Sequence, residues 1–104
     1  MKTPSLPKKI IAAMKAHPSF YQSVWKACAL IPKGQVRTYG WIAKKIGKPG
    51  AARAVGMALG KNPFAPTVPC HRVVGADGRL TGYSGAGGVK TKRLLLKAEG
   101  VPLP

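Results

Sequence analysis

Acid is what this chain lacks. Two carboxylate side chains, Asp77 and Glu99, stand against 18 lysines and arginines, and residues 1–76 carry no carboxylate. A formal net charge of +16 on 104 residues makes the compact chain repel itself, so an anionic partner is expected, and nucleic acid phosphate is the commonest one. Long apolar runs are missing too. No segment approaches the roughly 18 residues of a membrane span, and the run Ile10–Met14 is closed by Lys15, which makes it a poor signal peptide. A membrane partner is not expected, and an intracellular, thiol-reducing location is. Two cysteines, Cys28 and Cys70, make no disulfide framework. CxxC and HxxxH spacings are absent, and with His17 and Cys28 as the remaining candidates a zinc site is not expected. The 45% hydrophobic content supports one folded domain, able to bury roughly two-thirds of its unfolded surface.

Periodicity sets out a helical chain. Pro4, Pro7 and Pro18 bracket a short stretch, Lys8–His17, whose Ile10, Ile11 and Met14 give one apolar face; residues 1–19 read as a basic N-terminal helix or arm, loosely packed, ahead of a domain over 20–104. Ser19 is placed to cap a helix over Phe20–Ile31, with Phe20, Val24, Ala27, Cys28 and Ile31 at helical spacing. Cys28 falls on that apolar face, where a free cysteine behaves as a small hydrophobe. Val36–Tyr39 reads as extended, Tyr39–Ile46 as a helix, and Ala51–Leu59 as a second helix across the turn at Gly47, Pro49 and Gly50. Two short helices about such a turn make a helix-turn-helix. Arg79–Leu80 is a candidate return strand. The last helix is Val89–Ala98, with Leu94, Leu95 and Ala98 inward, lysines outward and Gly100 as its cap.

The second helix of the pair is unusual for a reader of bases. It offers Ala51, Ala52, Ala54, Gly56, Ala58 and Gly60, and one long polar side chain, Arg53. Reading major-groove edges needs several polar side chains. Small residues would instead let the backbone approach DNA closely, with Arg53 as a single probe, a pattern suited to sequence-tolerant minor-groove binding. The bland alternative is that they only permit close helix packing.

The candidate chemistry lies at Cys70 and His71, adjacent within the proline-bounded segment VPCHRVV. The thiolate is the nucleophilic form of cysteine, and His71 and Arg72 could favour it. Taken alone, a Cys-His pair is a weak signal. Four segments in order give it context: VRTYGWIA around Tyr39, AARAVGMALGKNP over 51–63, VPCHRVVGADG over 68–78 and TGYSGAGGVKTKRLLLKAEG over 81–100. Together these closely resemble the C-terminal domain of the O6-alkylguanine-DNA alkyltransferases, across about four-fifths of the chain.

That resemblance implies a mainly α fold with a short β piece, a winged-helix-like helix-turn-helix. It also implies a single-turnover DNA repair activity: an alkyl group passes irreversibly from O6 of a flipped guanine to cysteine. Cys70 matches the acceptor, His71 the residue that takes the thiol proton through a water, and Glu99 the carboxylate that orients it. Tyr83 would donate to O6 as guanine leaves, and Ser84 would reach the same atom. Arg53 matches the finger that fills the gap in the duplex, and Tyr39 the tyrosine that helps rotate the nucleotide and contacts the base. Ala51, Ala52, Gly56 and Arg72 join the expected DNA-contacting set. Val73 offers a backbone carbonyl to the guanine edge, Asn62 ties the helix-turn-helix to the active-site turn, and Lys92 matches a lid lysine. The displacement needs no metal or organic cofactor. The expected partner is double-stranded DNA containing O6-alkylguanine, bound by a monomer.

The chain departs from the full-length family pattern by lacking room for an N-terminal domain before residue 20. That brevity keeps a second class open: alkyltransferase-like lesion sensors, which bind alkylated guanine without transfer and flag it for nucleotide excision repair proteins. Those sensors carry another residue, often tryptophan, where this chain has Cys70. A third class is a basic architectural helix-turn-helix protein, indifferent to alkylation.

Overall fold

The computed structural model describes residues 6–64, 67–76, 78, 80 and 88–102. Among these, five helices run in the order α1 (Lys8–Met14), α2 (Ser19–Cys28), α3 (Tyr39–Lys45), α4 (Ala52–Gly60) and α5 (Gly88–Ala98), with a 3-10 turn at Cys70–Arg72. Two two-residue strands, β1 (Arg37–Thr38) and β2 (Val73–Val74), complete the described elements. The fold is mainly α with a short β piece, as expected.

α2 is the central post. Val24, Trp25, Ala27 and Cys28 are buried on it, and the Trp25 indole N–H donates to the Ala58 carbonyl of α4 at 2.9 Å. A buried indole needs such a partner, and this one fixes α4 against α2. Ser19 does not cap this helix. Pro18 holds the cap position with an extended ψ of 146°, and Ser19 is already helical. The N-terminal segment packs more firmly than its prolines suggest: Met14 is fully enclosed, and His17 meets Trp25 edge-on at 5.0 Å.

α3 and α4 form the helix-turn-helix. Thr38 caps α3, its hydroxyl oxygen accepting from the Trp41 N–H at 3.0 Å. Gly47 ends the helix at φ +78°, and the Lys48 N–H closes back onto the Ala43 carbonyl at 2.8 Å, the left-handed termination glycine favours. The small residues of α4 divide between close packing and an open outer surface. Ala58 is buried against α2, whereas Ala54 and Gly60 are exposed.

β1 and β2 pair in parallel, Arg37 opposite Val73 and Thr38 opposite Val74. This pairing sets the Cys70 turn beside the start of α3. The return strand expected at Arg79–Leu80 is only half covered: Leu80 is in no strand, and Arg79 lies outside the described residues.

α5 corrects the face read from its leucines. Leu94 is 59% exposed and Ala98 is exposed, while Lys92 and Leu96 are fully buried and Leu95 half-buried. The inward stripe is Lys92, Leu95, Leu96 and Glu99, a proper i, i+3, i+4, i+7 set. Both ends are charged side chains with polar partners inside, which is why a pattern of apolar residues alone misplaces the face.

Candidate active site and helix-turn-helix face

Proline shapes the turn that carries the thiol. Pro69 has φ −82° and ψ 65°, and the Cys70 N–H reaches the Val68 carbonyl at 2.8 Å, an inverse γ-turn. The Arg72 N–H then bonds the Pro69 carbonyl at 2.9 Å, giving one 3-10 turn that presents Cys70, His71 and Arg72 in succession. Asn62, just past α4, braces it. Its amide donates to the Val68 carbonyl at 2.9 Å and its side-chain oxygen accepts from the Phe64 N–H at 2.8 Å. Asn62 thus links the helix-turn-helix to this turn.

Cys70 retains 7% exposure, and Cys28 none. Burial pushes the Cys70 thiol above its ordinary pKa, against the opposing pull of the Asn62 amide, the Lys92 charge and the backbone N–H groups of Cys70 and His71. The sulfur therefore rests as a thiol at neutral pH and needs a proton acceptor to become nucleophilic.

His71 can be that acceptor. It is buried, with Nε2 3.1 Å from Glu99 Oε2. Burial lowers its pKa, the Glu99 carboxylate works in the other direction, and the Arg72 and Lys92 charges add to the lowering, so the imidazole rests neutral. With Nε2–H donating to Glu99, Nδ1 carries the lone pair. Nδ1 is buried and has no hydrogen-bond partner among the described residues.

Glu99 is held by two arms of Arg72, Nε donating to Oε1 at 2.9 Å and Nη2 to Oε2 at 2.7 Å. Burial alone would raise its pKa, but the bonds from Arg72 and His71 outweigh that and bring it to about 2. A third arm of Arg72 donates to the Ile31 carbonyl at 2.8 Å. The expected DNA-contacting role of Arg72 is thereby corrected: its guanidinium is turned inward, committed to a bidentate ion pair and a backbone carbonyl. Gly34, at φ +88°, lets the loop after α2 run close beneath the α5 terminus, where an added Cβ would lie 3.3 Å from the Glu99 carbonyl.

Lys92, expected at a lid, is buried and donates to the Val73 carbonyl at 2.6 Å, with Nζ 5.9 Å from the Tyr39 ring centroid. Burial lowers its pKa to about 8, offset in part by the nearby thiol groups of Cys70 and Cys28. Periodicity gave no hint of this inward lysine, and the family match was its one available signal. Lys92 joins three site positions, since Tyr39 starts α3, Val73 starts β2 and Cys70 precedes Val73 on the same turn.

A second cluster forms on the helix-turn-helix. A cavity of about 470 Å³ is lined by Thr38, Tyr39, Gly40, Ala52, Arg53, Gly56 and Ala76. It gathers Tyr39, Arg53, Ala52 and Gly56 from the expected set; Cys70 is not in its lining, and Ala51 packs against the core. Arg53 is exposed at its rim. Gly56 keeps the helix surface low over Tyr39, where an added Cβ would stand at ordinary contact, 3.8 Å from the ring. Tyr83 and Ser84 lie outside the described residues. Among the described residues no group of three or more His, Cys, Asp or Glu side chains is placed to hold a metal, and no helix is long and apolar enough to cross a membrane.

Fold and site together define a helix-turn-helix module braced against a turn that bears a cysteine, a histidine and, through the histidine, a glutamate. The family model of the 6-O-methylguanine DNA methyltransferase DNA-binding domain matches residues 19–101, and the chain belongs to that family. It is 61% identical over 80 residues to the methylated-DNA–protein-cysteine methyltransferase of Mycobacterium bovis, covering 77% of this chain and 47% of that protein. The Methanosarcina acetivorans protein of the same name is 59% identical, with 78% and 51% covered. The chain thus spans about half the length of these curated relatives. Among solved structures, Mycobacterium tuberculosis OGT in complex with DNA superposes with a TM-score of 0.76 at 59% identity, covering 80% of this chain and 50% of that one. S. pombe Atl1 in complex with damaged DNA containing O6-carboxymethylguanine superposes at 0.72 and 37% identity, with 81% and 78% covered.

Proposed function

We propose that this chain repairs DNA by direct reversal, binding duplex DNA through α3 and α4 and transferring an alkyl group from O6 of guanine to Cys70. The observation that carries this reading is the state of His71: neutral, anchored through Nε2 to Glu99, with a buried Nδ1 that has no partner among the described residues, on the turn that holds a thiol needing deprotonation. A neutral imidazole held in this way can accept a proton, which supports the reading.

DNA binding follows from charge and shape. The cationic chain neutralises phosphates, so affinity falls steeply with salt. O6 of guanine points into the major groove, away from a protein docked in the minor groove, and bringing its alkyl carbon in line with a recessed sulfur requires flipping the nucleotide, at a cost of about a few kcal/mol. Arg53, exposed at the rim of the cavity, fills the gap left in the duplex, and Tyr39 at the same cavity steers the rotated nucleotide.

Transfer is then one displacement. The Cys70 proton passes to Nδ1 of His71, over one water or directly, and Glu99 stabilises the imidazolium that results. The sulfur lone pair forms a bond to the alkyl carbon as the C–O6 bond breaks, its electron pair leaving with guanine. Guanine takes up a proton, with Tyr83 as the donor at O6, and the Val73 carbonyl and Ser84 hold the base edge. Lys92 stabilises the developing thiolate by its charge. The thioether is stable, so each molecule acts once.

Intact-mass measurement after mixing with O6-methylguanine duplex tests this. Wild type gains the mass of one methyl group and Cys70→Ser gains none; an unchanged wild-type mass overturns transfer. A second reading, lesion sensing without transfer, has the weaker support of the structural likeness to S. pombe Atl1 at 37% identity. It predicts tight, alkyl-dependent binding with no mass gain.

A further inference from the structure

The outward face of α4 carries one side chain that neither the core nor the proposed chemistry uses. Met57 is 60% exposed. Around it on the same face stand Arg53, Ala54 and Gly60, all exposed, so Met57 is the single long apolar group on a surface otherwise kept low. It lies one helical turn beyond Arg53, the residue at the cavity rim. Lys44, Lys45, Lys48 and Lys61 are exposed on α3, the turn and the end of α4, and no acid is present before residue 77. An apolar finger on a cationic, carboxylate-free surface fits a polyanion whose groove has apolar walls.

We propose that Met57 is a second groove probe, packing against the sugar walls and base edges of the DNA minor groove and giving the protein a sequence-context preference. The inference rests on α4 being the DNA-docking helix, as the proposed function has it. Four residues of helix advance about 6 Å, against about 3.4 Å per base-pair step. With α4 lying along the groove, Met57 meets the duplex about two steps from the gap filled by Arg53. In the minor groove the guanine N2 amino group protrudes where A·T pairs leave the floor open. A methionine thioether packs on the open floor and is pushed away by the amino group, as befits side chains that wedge into this groove. Met57 thus favours A·T over G·C at that position, independently of the lesion.

Fluorescence anisotropy with lesion-containing duplexes that differ only two steps from the lesion, on each side, tests this. Wild type should bind the A·T duplex about 3- to 10-fold tighter than the G·C duplex on one side, from the extra apolar surface buried there. Hypoxanthine in place of guanine, which removes the amino group, should restore the tighter binding. Met57→Ala should lose the preference and bind the A·T duplex about 3- to 10-fold more weakly, with the salt slope unchanged because no charge is removed. Met57→Gln, similar in length but polar, should behave like the alanine variant. Equal wild-type affinity for all duplexes, or a preference that survives Met57→Ala, overturns the proposal. Arg53→Ala separates the two levels. If it weakens binding and Met57→Ala does not, this inference alone fails; if neither changes binding, the docking of α4 fails with it.

Discussion

Cys28 and Cys70 belong to one apolar cluster, yet their surroundings differ, and the proposed function assigns them opposite chemistry. Cys28 is the last residue of α2, fully enclosed, and burial pushes its thiol far above the ordinary range, with the nearby Cys70 adding to the rise and the Arg72 and Lys92 charges only partly opposing it. Cys70 sits on a tight turn rather than a helix. It keeps a sliver of exposure, an amide from Asn62, a cation in Lys92, and next to it in the chain a neutral imidazole whose Nδ1 has no partner among the described residues. Residue type does not choose the nucleophile. A turn at the edge of the core admits polar partners to a sulfur, and the fully enclosed end of α2 does not.

The largest expected effect separates the two thiols. Cys70→Ser abolishes alkyl uptake, while Cys28→Ser retains one equivalent per chain and loses about 1–3 kcal/mol of stability from an unmatched buried hydroxyl. Uptake by Cys70→Ser, or its loss in Cys28→Ser at a temperature where that variant is folded, would break the contrast.

The next sharpens it at the proton acceptor. Glu99→Gln should slow single-turnover transfer by about 100-fold, since the imidazolium loses its counter-charge. In wild type the rate should hold as pH drops through 6.5, the ordinary histidine value, and fall only below it, because the His71 pKa is lowered. A fall centred above 6.5 would contradict a buried neutral base.

Stability against acid reads the same carboxylate without catalysis. The folded-state pKa of Glu99 lies at about 2 against an ordinary 4.5, so its contribution, ~3 kcal/mol, is present in full above 4.5 and is lost as pH falls towards 2. Denaturant titrations across that window should show the loss in wild type and not in Glu99→Gln. An identical acid slope in both would show that the Arg72 pair does not hold this group.

The smallest effect probes the loop beneath the pair. Gly34→Ala should lower stability by about 1–2 kcal/mol, because alanine is strained at φ +88° and its Cβ would press on the Glu99 carbonyl. No change in thermal midpoint would mean the loop gives way freely.

Much of this arrangement was legible in the sequence, because its signals are local or carried by the family pattern. Helical spacing and the glycine turn give α2, α3 and α4 to within a few residues, and the motif VPCHRVV points to Cys70 and His71. What was not legible depends on partners distant in the chain. The β1–β2 pairing joins two-residue segments 36 positions apart, too short to show alternation. Arg72 reads as a surface cation until Glu99 and the Ile31 carbonyl are seen around it. Lys92 lies inward because the Val73 carbonyl and the Tyr39 ring receive its ammonium, and three consecutive leucines beside it fit more than one face. The lid residues Tyr83 and Ser84 rest on the family resemblance.

The destination of the alkyl group is the most direct test of the whole account. A duplex carrying isotopically labelled methyl on O6 of guanine, incubated with the wild-type chain and followed by peptide mapping, should place the label on the peptide containing Cys70 and nowhere else. Label on Cys28, or none on the protein while the DNA stays bound and methylated, would contradict it.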